Sequence, residues 1–368
     1  MRIGIMLRHL PQHPGGVVVY TKALLPELFK IGSAHEFILF YQQQSLPGFL
    51  STTASLRDVV LPVPSRLIWD QVAVPVAAKR EGVDVLFNPK YSIPLLAGCR
   101  TAWVCHGLDW YVMPWASRRV DRLSHSLLVP QYARKADAII AVSETVREHA
   151  LQHLKVEPEK LHVVHSGAHE GFRVSGTPEA RRALQERLDL PDRFVLFVGA
   201  LYPPKNFTRL MKAYKAVGPS RGYHLVVAGG TDRFLAAHEV DLGRMLGLRN
   251  WVHKLGWLPH DELPALYSLA TGLLMPSLYE ACPLPIIEAM AAGCPIVTSD
   301  RYGTAELAGG AAVEVDPESV ESIANGIARL LDDEQLRRDL AARGRVRAAS
   351  MTWENTARQT LSVLESLH

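Results

Sequence analysis

Hydrophobic residues in this chain come in short, nearly unbroken runs, as at residues 3–7, 37–41, 83–87, 102–105 and 138–142. These runs are too short for helices, and they do not alternate apolar with polar. That is the pattern of parallel strands covered on both faces. Longer amphipathic stretches separate several of them, including 17–30 and 66–80. Strand–helix alternation predicts βαβ units and a doubly wound α/β sheet.

The rhythm pauses after HVVHSG (162–167). Residues 168–178 are polar and irregular, and 179–188 read as a short helix. A second series of strands then runs through FVLFVG, HLVVAGG, VHKLGW, GLLMPS and PIVTSD. The expected plan is two Rossmann-like domains, 1–170 and 171–350, facing across a cleft. A tail at 351–368 packs back on the first domain as an amphipathic helix capped by Thr352. The length of 368 residues agrees, because single cores rarely exceed ~250–300 residues.

Composition changes this picture little. Hydrophobic residues at 48% and charged residues at 21% are ordinary for a globular protein. A net charge of +3 gives no reason to expect nucleic-acid binding. Cys99, Cys105, Cys282 and Cys294 form no CxxC pair, which predicts a reducing compartment and thiols acting as small buried hydrophobes. The opening MRIGIMLRHLPQHPGG lacks the flanks of a signal peptide, and no apolar run reaches the ~18 residues of a membrane span. The expectation is a cytoplasmic protein, with peripheral contact at the inner membrane face as the variant.

The densest chemistry lies in SLYEACPLPIIEAMAAGCPIVTSD, residues 277–300. A strand ends near Ser277, a loop carries Glu280, and a helix begins near Pro283 with Glu288 in its first turns. Proline suits a first helical turn, where its missing N–H would be unbonded anyway. The helix start offers backbone N–H groups and a positive dipole end to a diphosphate. Glu288 is placed to accept from ribose hydroxyls and Glu280 to meet a sugar. On spacing alone, two surface glutamates flanking an ordinary βαβ turn explain the segment equally well.

The segment resembles the Glu-x7-Glu motif of the GT4 family of retaining GT-B glycosyltransferases, including the continuation Glu-Ala-Met-Ala-x-Gly-x-Pro from Glu288 to Pro295. The resemblance extends over nearly the whole chain. It implies that Glu288 binds the nucleotide ribose and that Glu280 contacts the donor sugar. Where the family commonly has Gly-Phe-Gly-Leu, this chain has Ala281-Cys282-Pro283-Leu284. The prolines reduce the phosphate donors to the N–H groups of Cys282, Leu284 and Ile286.

Four further elements fit the same family. VGALYPPKN (198–206) resembles its Gly-x5-Lys-Gly/Asn element, which implies that Lys205 meets the donor phosphates, with Ala200 where an arginine is common; alone, a Lys-Asn step after a turn reads as a solvated loop. Gly15-Gly16 resembles its glycine-rich first loop; a plain turn needing positive φ is the other reading. CHGLDW (105–110) resembles its His-Asp-Leu region, which implies that His106 hydrogen-bonds the transferred sugar. Gly107 replaces the usual acid there, and Asp109 stands nearby. Ser143-Glu144 is also family-like, although Ser143 reads equally as a helix cap. Between 110 and 135, Trp110, Tyr111 and Trp115 precede Arg118, Arg119 and Arg122, with Leu123, Leu127 and Leu128 among the basic residues. The favoured reading is a core-facing helix with a solvated basic side. The sharper one is weak contact with an anionic membrane.

The resemblance implies a hexosyltransferase, with mannose or glucose the leading sugars. The donor would be a UDP-sugar or GDP-mannose, the acceptor a glycan, lipid-linked or small-molecule hydroxyl. The reaction would retain anomeric configuration and need no cofactor or metal. The alternatives are a GT-B sugar-nucleotide isomerase or phosphorylase, or a catalytically weak nucleotide-sugar or glycan-binding protein.

Overall fold

The computed structural model describes residues 1–10, 15–43, 55–174, 177–230 and 245–368. Of the segments read above, residues 11–14 and 175–176 lie outside these. The chain divides into two compact units, Met1–Gly167 with Trp353–His368, and Ala168–Thr352.

The first unit is built on β1 (Arg2–Met6), β2 (Glu36–Tyr41), β3 (Ser55–Val60), β4 (Val85–Asn88), β5 (Arg100–Cys105), β6 (Ala138–Ala141) and β7 (Leu161–Val163). They form one parallel sheet in the order β3-β2-β1-β4-β5-β6-β7. Ile3 of β1 pairs with Phe37 on one side and Val85 on the other, and all three are fully buried. Covering both faces is what makes these strands unbroken apolar runs. The edge strand β3 is mostly exposed and reads SLRDVV.

Two local features of this unit matter later. The helical stretch from Arg66 to Arg80 is interrupted by a π-helical turn at Trp69–Ala73. Both Trp69 and Asp70 are buried there, and such turns recur at functional sites. The terminal helix Trp353–Glu365 packs along helix Gly16–Ile31. Trp353 meets the edge of Tyr20 at 5.4 Å between ring centroids, and Thr356 donates to the His165 carbonyl at 2.8 Å.

The second unit contains β8 (Phe194–Val198), β9 (His224–Ala228), β10 (Val252–Gly256), β11 (Leu273–Met275), β12 (Ile296–Ser299) and β13 (Val313–Val315), in the parallel order β10-β9-β8-β11-β12-β13. Alternate residues of β8 serve opposite cores. Leu196 joins Met275, Ile287 and Met290 on one face; Val195 and Phe197 join Leu274 and Ile327 on the other.

In each sheet the chain first builds outward on one side, then returns to build on the other. The strand order therefore reverses between β1 and β4 in the first unit and between β8 and β11 in the second. Loops leaving the carboxyl ends of those two strands splay apart and leave a crevice, the usual ligand position in open α/β sheets.

The stretch 110–135 departs from the favoured expectation. It forms short turns at Asp109–Val112 and Pro114–Ala116, then helix Arg119–Lys135. Only Val129, Tyr132 and Ala133 of that helix are buried, while Leu123 and Leu127 are 63% and 59% exposed. The leucines do not face a core. Among the thiols, Cys105 and Cys294 are buried, whereas Cys99 and Cys282 are only half-buried.

Candidate functional site

The crevice of the second unit carries a buried ion pair. Beyond β8 the chain passes Gly199 (φ +139°) and a 3-10 turn, Pro203–Lys205. Gly199 must run close to Gly229 (φ +146°) at the end of β9. A Cβ on Gly229 would collide with the Gly199 carbonyl. Asn206 then takes a left-handed conformation (φ +59°) and opens helix Phe207–Val217. Its amide donates to the carbonyls of Pro276 at 2.9 Å and Pro317 at 2.6 Å. Leu278 N–H donates to the Pro204 carbonyl at 2.8 Å. These bonds tie the loop after β8 to the loop after β11.

The result is that Lys205 Nζ lies 2.7 Å from Glu280 Oε1, each side chain only 10% exposed. The ammonium approaches off the line of a hydrogen bond to that oxygen, so the contact is electrostatic rather than directional. The Glu280 loop is held from its other side by Gly303 N–H, which donates to the Glu280 carbonyl at 3.0 Å. A side chain at Gly303 would strike the Ala281 carbonyl.

Next to this loop begins helix Leu284–Ala292, with Pro283 as N-cap and Pro285 in its first turn. Ile286 leaves the set of expected phosphate donors, because its N–H is engaged by the Pro283 carbonyl at 3.0 Å. Leu284 N–H stands at the helix start, with half-buried Cys282 in the loop before it.

Glu288 is buried on this helix, 5% exposed, and already accepts two hydrogen bonds. His260 Nε2 donates to Oε1 at 2.8 Å and the Tyr267 hydroxyl donates to Oε2 at 3.1 Å. A carboxylate has about four acceptor positions, so about two remain. Phe172 packs edge-on against His260 at 5.2 Å and lies 5.8 Å from Tyr267, and His169 is 5.5 Å from His260. Burial alone would lower the His260 pKa; the hydrogen bond and charge of Glu288, aided by Asp261, outweigh it and raise it. Burial and the charge of Glu288 push the Tyr267 hydroxyl well above its ordinary value, so it remains a donor.

In the first unit, His106 follows β5. Its Nε2 lies 2.7 Å from the Pro89 carbonyl. A carbonyl can only accept, so Nε2 carries the hydrogen and Nδ1 is left as an acceptor. Burial pushes the His106 pKa down to about 4, which keeps the ring neutral. Gly107 has φ +134°, a conformation that disfavours the aspartate common at this position. Asp109 bonds Ser117 and the Trp110 N–H, which binds it into local structure. Ser143 is a helix cap, its Oγ accepting from Val146 N–H at 3.2 Å. Neither Gly15 nor Gly16 has positive φ: Gly15 is extended (φ −158°) and Gly16 opens a helix. Neither glycine is therefore required by a positive φ, and a Cβ at either position would meet nothing within 4 Å among the described residues.

Thus the second unit brings Lys205 and Glu280 together at its strand-order reversal, beside the helix that bears Leu284 and Glu288. The sequence places Asn206 in the Lys-Asn step of the element after β8 but gives it no structural role, and it assigns nothing to Gly303, His260 or Tyr267. Nothing local marks Gly303, His260 or Tyr267, whose partners Glu280 and Glu288 lie more than 20 residues away.

Two parallel α/β units of this kind are the architecture of GT-B enzymes. The chain aligns over its full length with HepE of Anabaena, solved in complex with UDP and glucose (TM-score 0.78, 19% identity, 100% of both chains). It also aligns with WaaG, a glycosyltransferase of lipopolysaccharide biosynthesis (TM-score 0.76, 17% identity, 98% and 99%). At these identities the likeness establishes the fold. Sequence profiles then specify the family: residues 14–170 match Glycosyltransferase Family 4 and residues 180–347 match Glycosyl transferases group 1. The chain belongs to the GT4-type glycosyltransferases. It is similar to the O-antigen chain mannosyltransferase B of Escherichia coli (28% identity, 72% of this chain and 74% of that one). It is also similar to the MMP alpha-(1->4)-mannosyltransferase of Mycolicibacterium hassiacum (30%, 63% and 55%). It spans only 28% of the E. coli serotype-specific mannosyltransferase WbdA.

Proposed function

We propose that this chain moves a hexosyl group from a nucleotide diphosphate sugar to an acceptor hydroxyl with retention of configuration, the second unit holding the donor and the first the acceptor. The observation that carries this reading is the buried Lys205–Glu280 pair at the strand-order reversal of the second unit, beside the helix bearing Glu288. A diphosphate entering there draws the Lys205 ammonium away from Glu280 and takes the Leu284 N–H at the helix start. Glu280, released, accepts from sugar hydroxyls. The two acceptor positions left on Glu288 take the ribose hydroxyls, while His260 and Tyr267 hold the carboxylate in place. Gly15 and Gly16 let the backbone approach the donor phosphate or the acceptor. His106 receives a hydroxyl of the transferred sugar on Nδ1. The acceptor hydroxyl gives its proton to the departing phosphate on the same face, so no protein nucleophile is required.

Mannose is the sugar named for the E. coli and M. hassiacum relatives, and UDP and glucose are the ligands in the HepE structure. GDP-mannose and UDP-glucose are therefore the first donors to test. Trp115, Val120, Leu123 and Leu127 are exposed beside exposed Arg118 and Arg119. This combination supports peripheral contact with an anionic membrane, and with it a lipid-linked acceptor. Among the described residues no helix is long and apolar enough to cross a membrane.

The test is a calorimetric screen of nucleotide sugars, followed by mass spectrometry and NMR of products formed with candidate acceptors. Selective binding of one donor, its slow hydrolysis without acceptor and a product of unchanged anomeric configuration are expected. Absence of binding to every nucleotide sugar would overturn the reading.

A further inference from the structure

One hydrogen bond does not orient His106. Its Nε2 donates to the Pro89 carbonyl at 2.7 Å. In an imidazole, Nε2 lies nearer than Nδ1 to the axis of the Cβ–Cγ bond, and rotation about that bond is only loosely restricted. The ring can therefore turn while Nε2 stays near its partner, and Nδ1 then sweeps the wider arc. The Nδ1 lone pair lies in the ring plane, so that plane needs a second contact before Nδ1 can hold one direction.

Helix Gly16–Ile31 supplies that contact. One turn into it, the buried Tyr20 ring stands at 85° to the His106 ring, with 4.8 Å between centroids. Tyr20 in turn meets buried Trp353 at 79° and 5.4 Å. The next residue, Thr21, pins the same turn, its Oγ1 lying 2.9 Å from His9 Nε2. Trp353 is the first residue after the chain re-enters this unit. Thr352, just before it, is bridged to Ala168, whose N–H donates to the Met351 carbonyl at 3.0 Å. Just after it, Thr356 donates to the His165 carbonyl at 2.8 Å. The Pro89 side is braced as well. The Asn88 amide donates to the Ser92 carbonyl and hydroxyl at 2.7 Å and 2.9 Å. Gln71, on the π-helical turn, donates to the Ile93 carbonyl and accepts from Leu95 N–H, both at 2.9 Å.

We propose that Tyr20 and Trp353 are positioning residues for His106. Tyr20 fixes the imidazole plane, Trp353 fixes Tyr20, and Nδ1 is thereby held toward one hydroxyl of the transferred sugar. The placement of His106 then depends on how the chain re-enters the unit, more than 240 residues further along the sequence. The sugar rests on the glycosyl-transfer reading; the orientation of the ring does not.

The experiment follows His106 by nitrogen NMR in the full chain with labelled histidine, its signals assigned by their loss in His106→Ala. Wild type is compared with Tyr20→Phe, Tyr20→Met and Trp353→Met; methionine removes the ring and fills most of its space. Wild type should show one tautomer, with the hydrogen on Nε2. Both methionine variants should show a mixture, because a ring that turns leaves Pro89 part of the time and either nitrogen then carries the hydrogen. With the nucleotide sugar selected by the donor screen, both should lower kcat about threefold to tenfold, the size of one aromatic contact, and leave nucleoside diphosphate affinity unchanged. Tyr20→Phe should restore the wild-type tautomer and kcat. In the His106→Ala background the methionine substitutions should cost nothing further, which general damage to the core would not reproduce. Trp353→Met leaves Tyr20 and Pro89 in place, so it answers the question even if Tyr20→Met does not fold. A single Nε2–H tautomer in both methionine variants, or kcat losses undiminished in the His106→Ala background, overturns the proposal. Mixed tautomers in those variants with no glycosyl transfer from any donor instead overturn the functional reading and leave the positioning of His106 standing.

Discussion

Lys205 and Glu280 sit on loops that leave adjacent parallel strands, and their charged groups meet at 2.7 Å with little water around them. Neither side chain is stable there alone. The attraction is strong because the surroundings are dry, and the cost of stranding either partner is high for the same reason.

Lys205→Ala is therefore expected to lose stability as well as donor affinity. Removing one partner of a buried pair costs up to about 3–5 kcal/mol. Losing a charged contact to phosphate costs about 1.5–3 kcal/mol of binding. Urea unfolding and calorimetry separate the two effects. Lys205→Ala/Glu280→Gln should recover most of the stability and none of the nucleoside diphosphate affinity. Unchanged stability in the single variant would mean that the pair does not form in solution.

The two glutamates should differ in kinetics. Glu288 contacts the ribose, which does not react, so Glu288→Gln should raise KM and weaken free nucleoside diphosphate. Glu280 contacts the sugar as positive charge develops, so Glu280→Gln should lower kcat and leave nucleoside diphosphate affinity nearly intact. Equal loss of affinity in both variants would refute this division.

The histidines predict pH effects of opposite sign. His260 has a raised pKa, so its bond to Glu288 contributes fully below the unfolded value of about 6.5 and fades as pH rises through the higher folded value. His9 and His106 are lowered to about 3 and about 4. Their contribution is complete above about 6.5 and is lost progressively as pH falls toward those values. Chemical unfolding of wild type, His260→Gln and His106→Gln across pH 4 to 8 checks this. The stability gap for His260→Gln should shrink toward alkaline pH. His106→Gln should lose less stability than wild type on acidification. A gap for His260→Gln that widens toward alkaline pH would contradict the assignment.

Membrane contact through residues 110–135 is tested by sedimentation with anionic vesicles at low and high salt. Arg122 is kept intact, because it donates to the Pro114 carbonyl at 3.1 Å and holds the preceding turn. Arg118→Glu/Arg119→Glu and Leu123→Ser/Leu127→Ser should each reduce binding severalfold. Vesicle binding unaffected by both would place the membrane contact elsewhere.

The strands were legible because burial on both faces leaves an unbroken apolar signature, as in FVLFV of β8. The Glu280–Glu288 spacing was legible because both residues lie on one βαβ segment. What sequence could not show was contact between distant segments. Asn206 bonds Pro276 and Pro317 across 70 and 111 residues, and His260 reaches Glu288 across 28. Leu123 and Leu127 were misread for a different reason: helical periodicity identifies an apolar face without saying whether anything covers it.

The terminal helix Trp353–Glu365 belongs to the first unit, yet it is separated from the rest of that unit by all of residues 168–352. On the ribosome this reverses the usual order of completion. The second unit has its whole sequence available before the first does, and Tyr20 waits for Trp353 until all of residues 168–352 have emerged. For that interval the apolar side of helix Gly16–Ile31 is uncovered. A nascent chain stalled before residue 353 should hold a finished second unit and an unfinished first one, and would be the species most prone to chaperone capture.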